Sequence, residues 1–145
     1  YDTTTDEQGE LYRISTNNTN ELIKIYFYEE YIFIGTEKGL FYMPYTNTDP
    51  IFLTEYSPSS GAFDYYNGKV YFTVEADAKA NLISVDVKTQ EINEVVSLVE
   101  SNGTVRTYTE IAICADGYYY TEPNNTNGGL FYHSFNQTEE IRIWN

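Results

Sequence analysis

Leu82-Ile83-Ser84-Val85-Asp86-Val87-Lys88-Thr89-Gln90-Glu91-Ile92 runs from an apolar strand through a polar turn containing Thr to Glu and the start of a second strand. Successive side chains of a strand point to opposite faces, and Asp, Asn, Ser and Thr bond locally to the backbone where a chain reverses, so the stretch reads as a β-hairpin. The pattern recurs. Anchored on a leucine and a turn threonine, the copies are Leu11 with Thr19, Leu40 with Thr48, Leu82 with Thr89 and Leu130 with Thr138, at separations of 8, 8, 7 and 8 residues. After each threonine come one free position, then Glu or Pro, then Leu or Ile: Asn20-Glu21-Leu22, Asp49-Pro50-Ile51, Gln90-Glu91-Ile92 and Glu139-Glu140-Ile141. Each unit is expected to be an antiparallel hairpin with its threonine in or beside the turn.

A second unit precedes the last three copies: a two-residue turn signal and an aromatic strand. It reads Glu29-Glu30 before Tyr31-Ile32-Phe33-Ile34, Asn67-Gly68 before Lys69-Val70-Tyr71-Phe72, and Asp116-Gly117 before Tyr118-Tyr119-Tyr120-Thr121. Asn-Gly and Asp-Gly tolerate the positive φ of tight hairpin turns, whereas Glu-Glu is a weaker signal. A full repeat is therefore two hairpins in series, or four strands. Threonine-to-threonine steps of 29, 41 and 49 residues divide the 145-residue chain into a half unit at 1–25 and units at about 26–56, 62–99 and 108–145, all within one segment. In the last unit, strands are expected near Ile111 to Ala115, Tyr118 to Glu122, Leu130 to Ser134 and Glu140 to Trp144, and in the preceding one Glu75 to Asn81 reads as a longer polar loop. The short first step leaves little chain between Ile23 and Tyr26 to link one unit to the next.

Composition agrees with strands. Tyr occurs 16 times and Phe 8 times, and 41% of the chain is hydrophobic, enough for a core with almost no helix. The formal net charge of −14, from 8 Lys and Arg against 22 Asp and Glu, opposes binding to nucleic acid or to an anionic membrane surface, which rests on Lys and Arg meeting phosphate. No apolar run approaches the roughly 20 residues that span a bilayer, so membrane insertion is not expected, and no N-terminal signal segment is visible. The chain opens without Met on Tyr1-Asp2-Thr3, in what reads as the end of a strand, which suggests a mature product or a cut-out piece.

Periods of about 40 to 50 residues with four strands per unit point to β-propeller blades. Tyr119-Tyr120-Thr121-Glu122 resembles the Tyr-Trp-Thr-Asp signature of low-density-lipoprotein-receptor-type propellers, Tyr71-Phe72-Thr73 matches it in part, and Phe33-Ile34-Gly35-Thr36 is the first copy's version. Asp86-Val87-Lys88-Thr89-Gln90-Glu91 is similar to the Asp-x-x-Thr-Gly-Glu hairpin of bacterial propeller repeats. The resemblance implies an all-β chain of about three and a half four-stranded antiparallel blades, a partial propeller whose missing blades, or another subunit, complete the ring. It further implies a non-enzymatic recognition or scaffolding segment, extracytoplasmic or secreted, with a protein or carbohydrate ligand. The alternative is the propeller part of a carbohydrate-active or peptidase enzyme whose catalytic residues lie elsewhere.

Candidate chemistry is sparse. Tyr71, Tyr119, Tyr120 and Tyr132 would stack a sugar or bind a peptide if exposed; strand alternation favours packing between blades instead, so Tyr119→Ala is expected to cost about 3 to 5 kcal/mol of stability. Glu75, Asp77 and Asn81 share one polar stretch and would supply hard oxygen ligands to calcium, the one cofactor candidate, although no Asp-x-Asp-x-Asp-Gly loop is present. His133 is the only histidine, and no Gly-x-Ser-x-Gly elbow accompanies it, so no catalytic residue is assigned. The lone Cys114, among Ile111, Ala112, Ile113 and Ala115, reads as a small core residue. Asn-x-Thr sequons at Asn17, Asn102, Asn124 and Asn136 suit turns as well as glycans.

Overall fold

The computed structural model describes residues 24–28, 30–47, 49–76, 79–123 and 128–144. Residues 1–23 of the half unit, with Leu11, Thr19 and Asn17, lie outside the described residues, as do Glu29, Thr48, Asp77 and Asn124. Twelve strands are described, and no helix is. Lys24–Phe27 (β1), Tyr31–Thr36 (β2), Gly39–Pro44 (β3) and Ile51–Thr54 (β4) form the first sheet in the order β1-β2-β3-β4. Phe63–Tyr66 (β5), Lys69–Ala76 (β6), Lys79–Asp86 (β7) and Ile92–Ser97 (β8) form the second in the same way, and Glu110–Ile113 (β9), Gly117–Glu122 (β10), Gly129–Ser134 (β11) and Glu140–Trp144 (β12) the third. Every pairing is antiparallel between chain neighbours, so each sheet is an open four-stranded meander.

The repeat is visible in the backbone. The Leu40, Leu82 and Leu130 units are antiparallel hairpins, and in all three the ladder slips immediately after the leucine, between Leu40 and Phe41, Leu82 and Ile83, and Leu130 and Phe131. A bulge of this kind raises the local twist. The slip thus marks the same structural position three times and fixes which residues correspond between sheets.

Turn chemistry follows the residues. Asn67 and Gly68 have φ of 50° and 80°, as a two-residue hairpin turn with both central residues left-handed requires. At the Asp86 turn the carboxylate Oδ1 accepts from the backbone N–H of Lys88 and of Thr89, each at 2.9 Å, and Gln90 takes φ of 61° where the related pattern places Gly. The Gln90 Nε2 donates to the Phe52 carbonyl of β4 at 3.1 Å, a bond from the second sheet to the first that glycine could not make. The Asp116-Gly117 signal marks a turn for a different reason from the expected one. Gly117 has no positive φ; instead, a Cβ there would lie 2.2 Å from the His133 carbonyl oxygen, so glycine permits the close approach of β10 to β11. The stretch from Glu75 to Asn81, expected as a long loop, belongs mostly to strands. β6 runs on to Ala76 and β7 resumes at Lys79, because Val74 pairs with Asn81 and Glu75 with Ala80 in continuous register.

The sheets stack in chain order. Phe33, Leu40 and Leu53 of the first sheet meet Phe63, Val70, Phe72, Val74, Ile83 and Val85 of the second in one apolar seam. The opposite face of the second sheet, through Ala80 and Leu82, joins Leu98, Tyr108, Ile111, Ile113, Tyr118 and Tyr120 in a second seam under the third sheet. At about 25 cal/mol per Å² of apolar surface removed from water, these two seams are the main cohesive term between the sheets.

Candidate functional site

Correspondence through the leucine bulge shows which surface is unlike the others. Phe33, Tyr71 and Tyr119 are equivalent in the three sheets, and across the ladder they pair with Tyr42, Ser84 and Tyr132. Each set lies on the face directed at the following sheet. Phe33 and Leu40 are fully covered by the second sheet, and Leu82 by the third. In the third sheet no following sheet is described, and Tyr119 is 41% exposed, Ile141 51% and Ile143 50%, with Leu130 and Tyr132 half-buried. Tyr119 and Tyr132 stand together there, ring centroids 5.0 Å apart and tilted by 47°. Tyr119 was expected to be buried; alternation along β10 places Tyr118 and Tyr120 inward at 0% and 1% exposure and turns Tyr119 out.

The other two tyrosines lie elsewhere. Tyr120 stacks on Tyr108 (4.1 Å) and Phe131 (5.3 Å) inside the second seam. Tyr71 is half-buried in β6 beside the Phe135 ring, 6.5 Å away. Neither joins the Tyr119–Tyr132 pair.

Beside Tyr120 is a charged group that the sequence reading did not single out. Arg106, in the link from β8 to β9, donates through Nε to Glu122 at 2.6 Å, through Nη1 and Nη2 to Glu140, and through Nη2 to the Tyr120 hydroxyl at 2.8 Å. Its guanidinium also lies over the Tyr108 and Tyr120 rings. Burial opposes its charge, but the bonds to Glu140 and Glu122 prevail and push the arginine further into its protonated form. Burial likewise opposes ionisation of Glu140, and the bonds from Arg106 and Tyr120 hold its pKa below the ordinary carboxylate value. A cavity of about 640 Å³ opens over this group, flanked by Arg142, which lies over the Phe131 ring. The available signal was scarcity: with 8 cations among 22 carboxylates, an arginine beside core aromatics will be paired more than once.

The remaining candidates separate. Glu75 and Asn81 sit one step out of phase on paired strands and project from opposite faces of the second sheet, and Asn81 donates to Glu94 at 2.9 Å. Asp77 is outside the described residues, among which no group of three His, Cys, Asp or Glu side chains could hold a metal. His133 stacks on Tyr118 (5.3 Å), while the Ser134 hydroxyl donates to the Asp116 carbonyl at 3.2 Å, so this serine is not committed to the imidazole. Cys114 is a partly exposed turn residue, not core, because β9 stops at Ile113; burial and a bond to Asp116 raise its thiol pKa, which makes it a poor nucleophile.

A larger cavity, about 870 Å³, opens at the turn end of the first two sheets. The β1–β2 turn brings Tyr28, Glu30 and Tyr31, the end of β5 Tyr65 and Tyr66, and the β7–β8 turn Asp86. Tyr65 donates to Glu30 Oε2 at 3.1 Å, and its ring meets Tyr31 at 5.6 Å and 76°. Burial first, then the bond to Glu30, pushes the Tyr65 pKa up to about 12. Burial and the nearby Asp64 carboxylate raise Tyr28 in the same direction.

Three consecutive meander sheets stacked through apolar seams, none closed into a barrel, define an open, multi-bladed all-β arrangement. Among solved structures the chain is similar to TolB from Acinetobacter baumannii, with a TM-score of 0.59 and 10% identity over 79% of this chain. That match spans 29% of the solved TolB chain, and at such identity it is a likeness of fold. No protein-family model matches the chain, and no curated protein does.

Proposed function

We propose that this chain is a recognition or scaffolding segment of a β-propeller acting outside the cytoplasm, with no chemistry of its own, and that the exposed face of its third sheet seats a further four-stranded sheet of the same repeat chemistry. The carrying observation is the equivalence of positions: Phe33 and Leu40 are covered by the second sheet, and Leu82 by the third, whereas Tyr119 and Leu130 meet no described sheet. Continuity with two existing seams specifies the occupant as a sheet face of branched and aromatic side chains. Placement of Tyr119-Tyr120-Thr121-Glu122 on the second strand of its sheet supports a relation to Tyr-Trp-Thr-Asp propellers, and the extracytoplasmic site rests on that resemblance.

Light scattering tests the proposal. In isolation a second copy should take the place of that further sheet, so the chain should self-associate, and Ile141→Glu with Ile143→Glu should return it to monomer while leaving its melting midpoint nearly unchanged. A wild-type chain that stays monomeric at high concentration would overturn the proposal.

A further inference from the structure

We propose that the cavity at the turn end of the first and second sheets binds an organic cation, the guanidinium or ammonium group of a basic protein segment. This is a second surface, separate from the exposed face of the third sheet, and it is built from three segments far apart in the chain. Tyr31 and Tyr65 meet nearly at right angles, and Tyr28 closes on Tyr65 at 5.8 Å, so the lining offers aromatic rings from two directions. The face of an aromatic ring carries the negative end of its quadrupole and attracts a cation within about 6 Å of the centroid.

Carboxylates complete the preference. Glu30 is exposed at the rim and holds the Tyr65 hydroxyl, which leaves its second oxygen free of any described partner. Asp86 is kept ionised by the backbone N–H groups of Thr89 and Lys88. Lys88 lines the cavity and Lys69, paired with Asp86 across the ladder, offsets that carboxylate, so the negative attraction rests on Glu30 and on the −14 of the whole chain, which would steer a basic partner inward. Burial chiefly, with the bond to Glu30 second, raises the Tyr65 pKa, so its hydroxyl stays protonated and leaves the cavity without a further charge of its own. The second junction is not built this way. There Ile113 occupies the place of Tyr65, and its N–H donates to Asp64 at 2.6 Å, which commits that carboxylate to the backbone.

Titration followed by backbone amide NMR tests this, with four probes: a capped Gly-Arg-Gly peptide, tetramethylammonium, a capped Gly-Asp-Gly peptide and a neutral disaccharide. The expected result is saturable shifts at Glu30–Tyr31, Tyr65–Gly68 and Asp86–Lys88 with the two cations and none with the other two. Arginine peptide stronger than tetramethylammonium supports a protein segment as the source, and the reverse order, a preference for a quaternary ammonium, would overturn that source. Glu30→Gln, at an exposed position that leaves folding intact, should weaken binding about fivefold or more, and Lys88→Ala should strengthen it. Tyr31→Leu should weaken it about tenfold. No saturable shift with either cation, equal binding of the disaccharide, or indifference to Glu30→Gln would overturn the proposal.

Discussion

The junction of the first and second sheets and the junction of the second and third bury similar strands by different means. At the first, Phe33, Phe63 and Phe72 meet Leu40, Leu53 and Val70, with the Tyr26 ring stacked on Phe63 at 3.9 Å. Its cohesion is mainly apolar contact, and its polar ties are single neutral or rim bonds: the Tyr28 hydroxyl to the Phe63 carbonyl at 3.2 Å, Tyr65 to Glu30, Gln90 to the Phe52 carbonyl and Lys24 to the Pro58 carbonyl at 2.9 Å. The second junction buries three tyrosines, Tyr108, Tyr118 and Tyr120, and threads polar bonds through them. Ser60 donates to the Tyr108 carbonyl at 2.8 Å, Asp64 accepts from Ile113, and Arg106 grips Glu122, Glu140 and Tyr120. The same repeat therefore supports an oil-like seam and a charge-pinned one. What differs is the side chains that strands and connecting segments supply, not the strand order.

The largest effect should come from Phe72→Ala, at a position with no exposure in the first seam. Loss of a buried aromatic ring leaves a cavity and costs about 3 to 5 kcal/mol, measurable by urea denaturation. Salt should not alter that cost; a strong salt dependence would break the comparison.

Arg106→Met should cost less, about 1 to 2 kcal/mol. Removing one partner of a fully buried pair costs about 3 to 5 kcal/mol, but the side chains of Arg106 and Glu140 keep 20% and 31% of their exposure and are partly screened. Here added salt should shrink the difference between wild type and variant.

Proton concentration separates the junctions further. Glu140 has a folded pKa below its ordinary value of about 4.3, so its contribution is present above that value and lost as pH falls through the folded one. Arg106→Met should flatten this acid limb. Burial raises Tyr108, Tyr118 and Tyr120, so the folded state holds their protons longer than the unfolded chain does. Stability should be complete below about pH 10 and fall as pH rises beyond it, with tyrosinate absorbance appearing late. An ordinary tyrosine titration in the folded protein would show these hydroxyls to be solvated.

The smallest effects test surface positions. Tyr119→Ala should cost at most about 1 kcal/mol in the monomeric chain, since surface changes lie mostly within about 0.5 kcal/mol and the lost contact with Tyr132 adds little. Gln90→Gly should come out near zero. Relief of the left-handed backbone returns about 1 kcal/mol, and loss of the bond to the Phe52 carbonyl removes about as much. A clear gain in thermal stability would mean that the Gln90 bond ties nothing together.

Much of this architecture was legible along the chain. Leu82 to Ile92 spells its own hairpin because a strand's alternation and an Asp-Thr turn act within a few residues, and the three described leucine units pair and slip alike for that reason. Polarity misled the reading at Glu75 and Asn81, where register with Ala80 and Val74 carries two strands through a polar stretch. Alternation predicted that half of Tyr118, Tyr119 and Tyr120 would face inward, but which half depends on the side from which the second sheet arrives. Tertiary structure alone decided the partners of Arg106 and the cavity of Tyr28, Tyr31 and Tyr65. Those groups come from strands, links and turns some 14 to 37 residues apart. Local pattern determines what each segment can become, whereas distances between such segments are set only when the apolar faces of whole sheets close on one another.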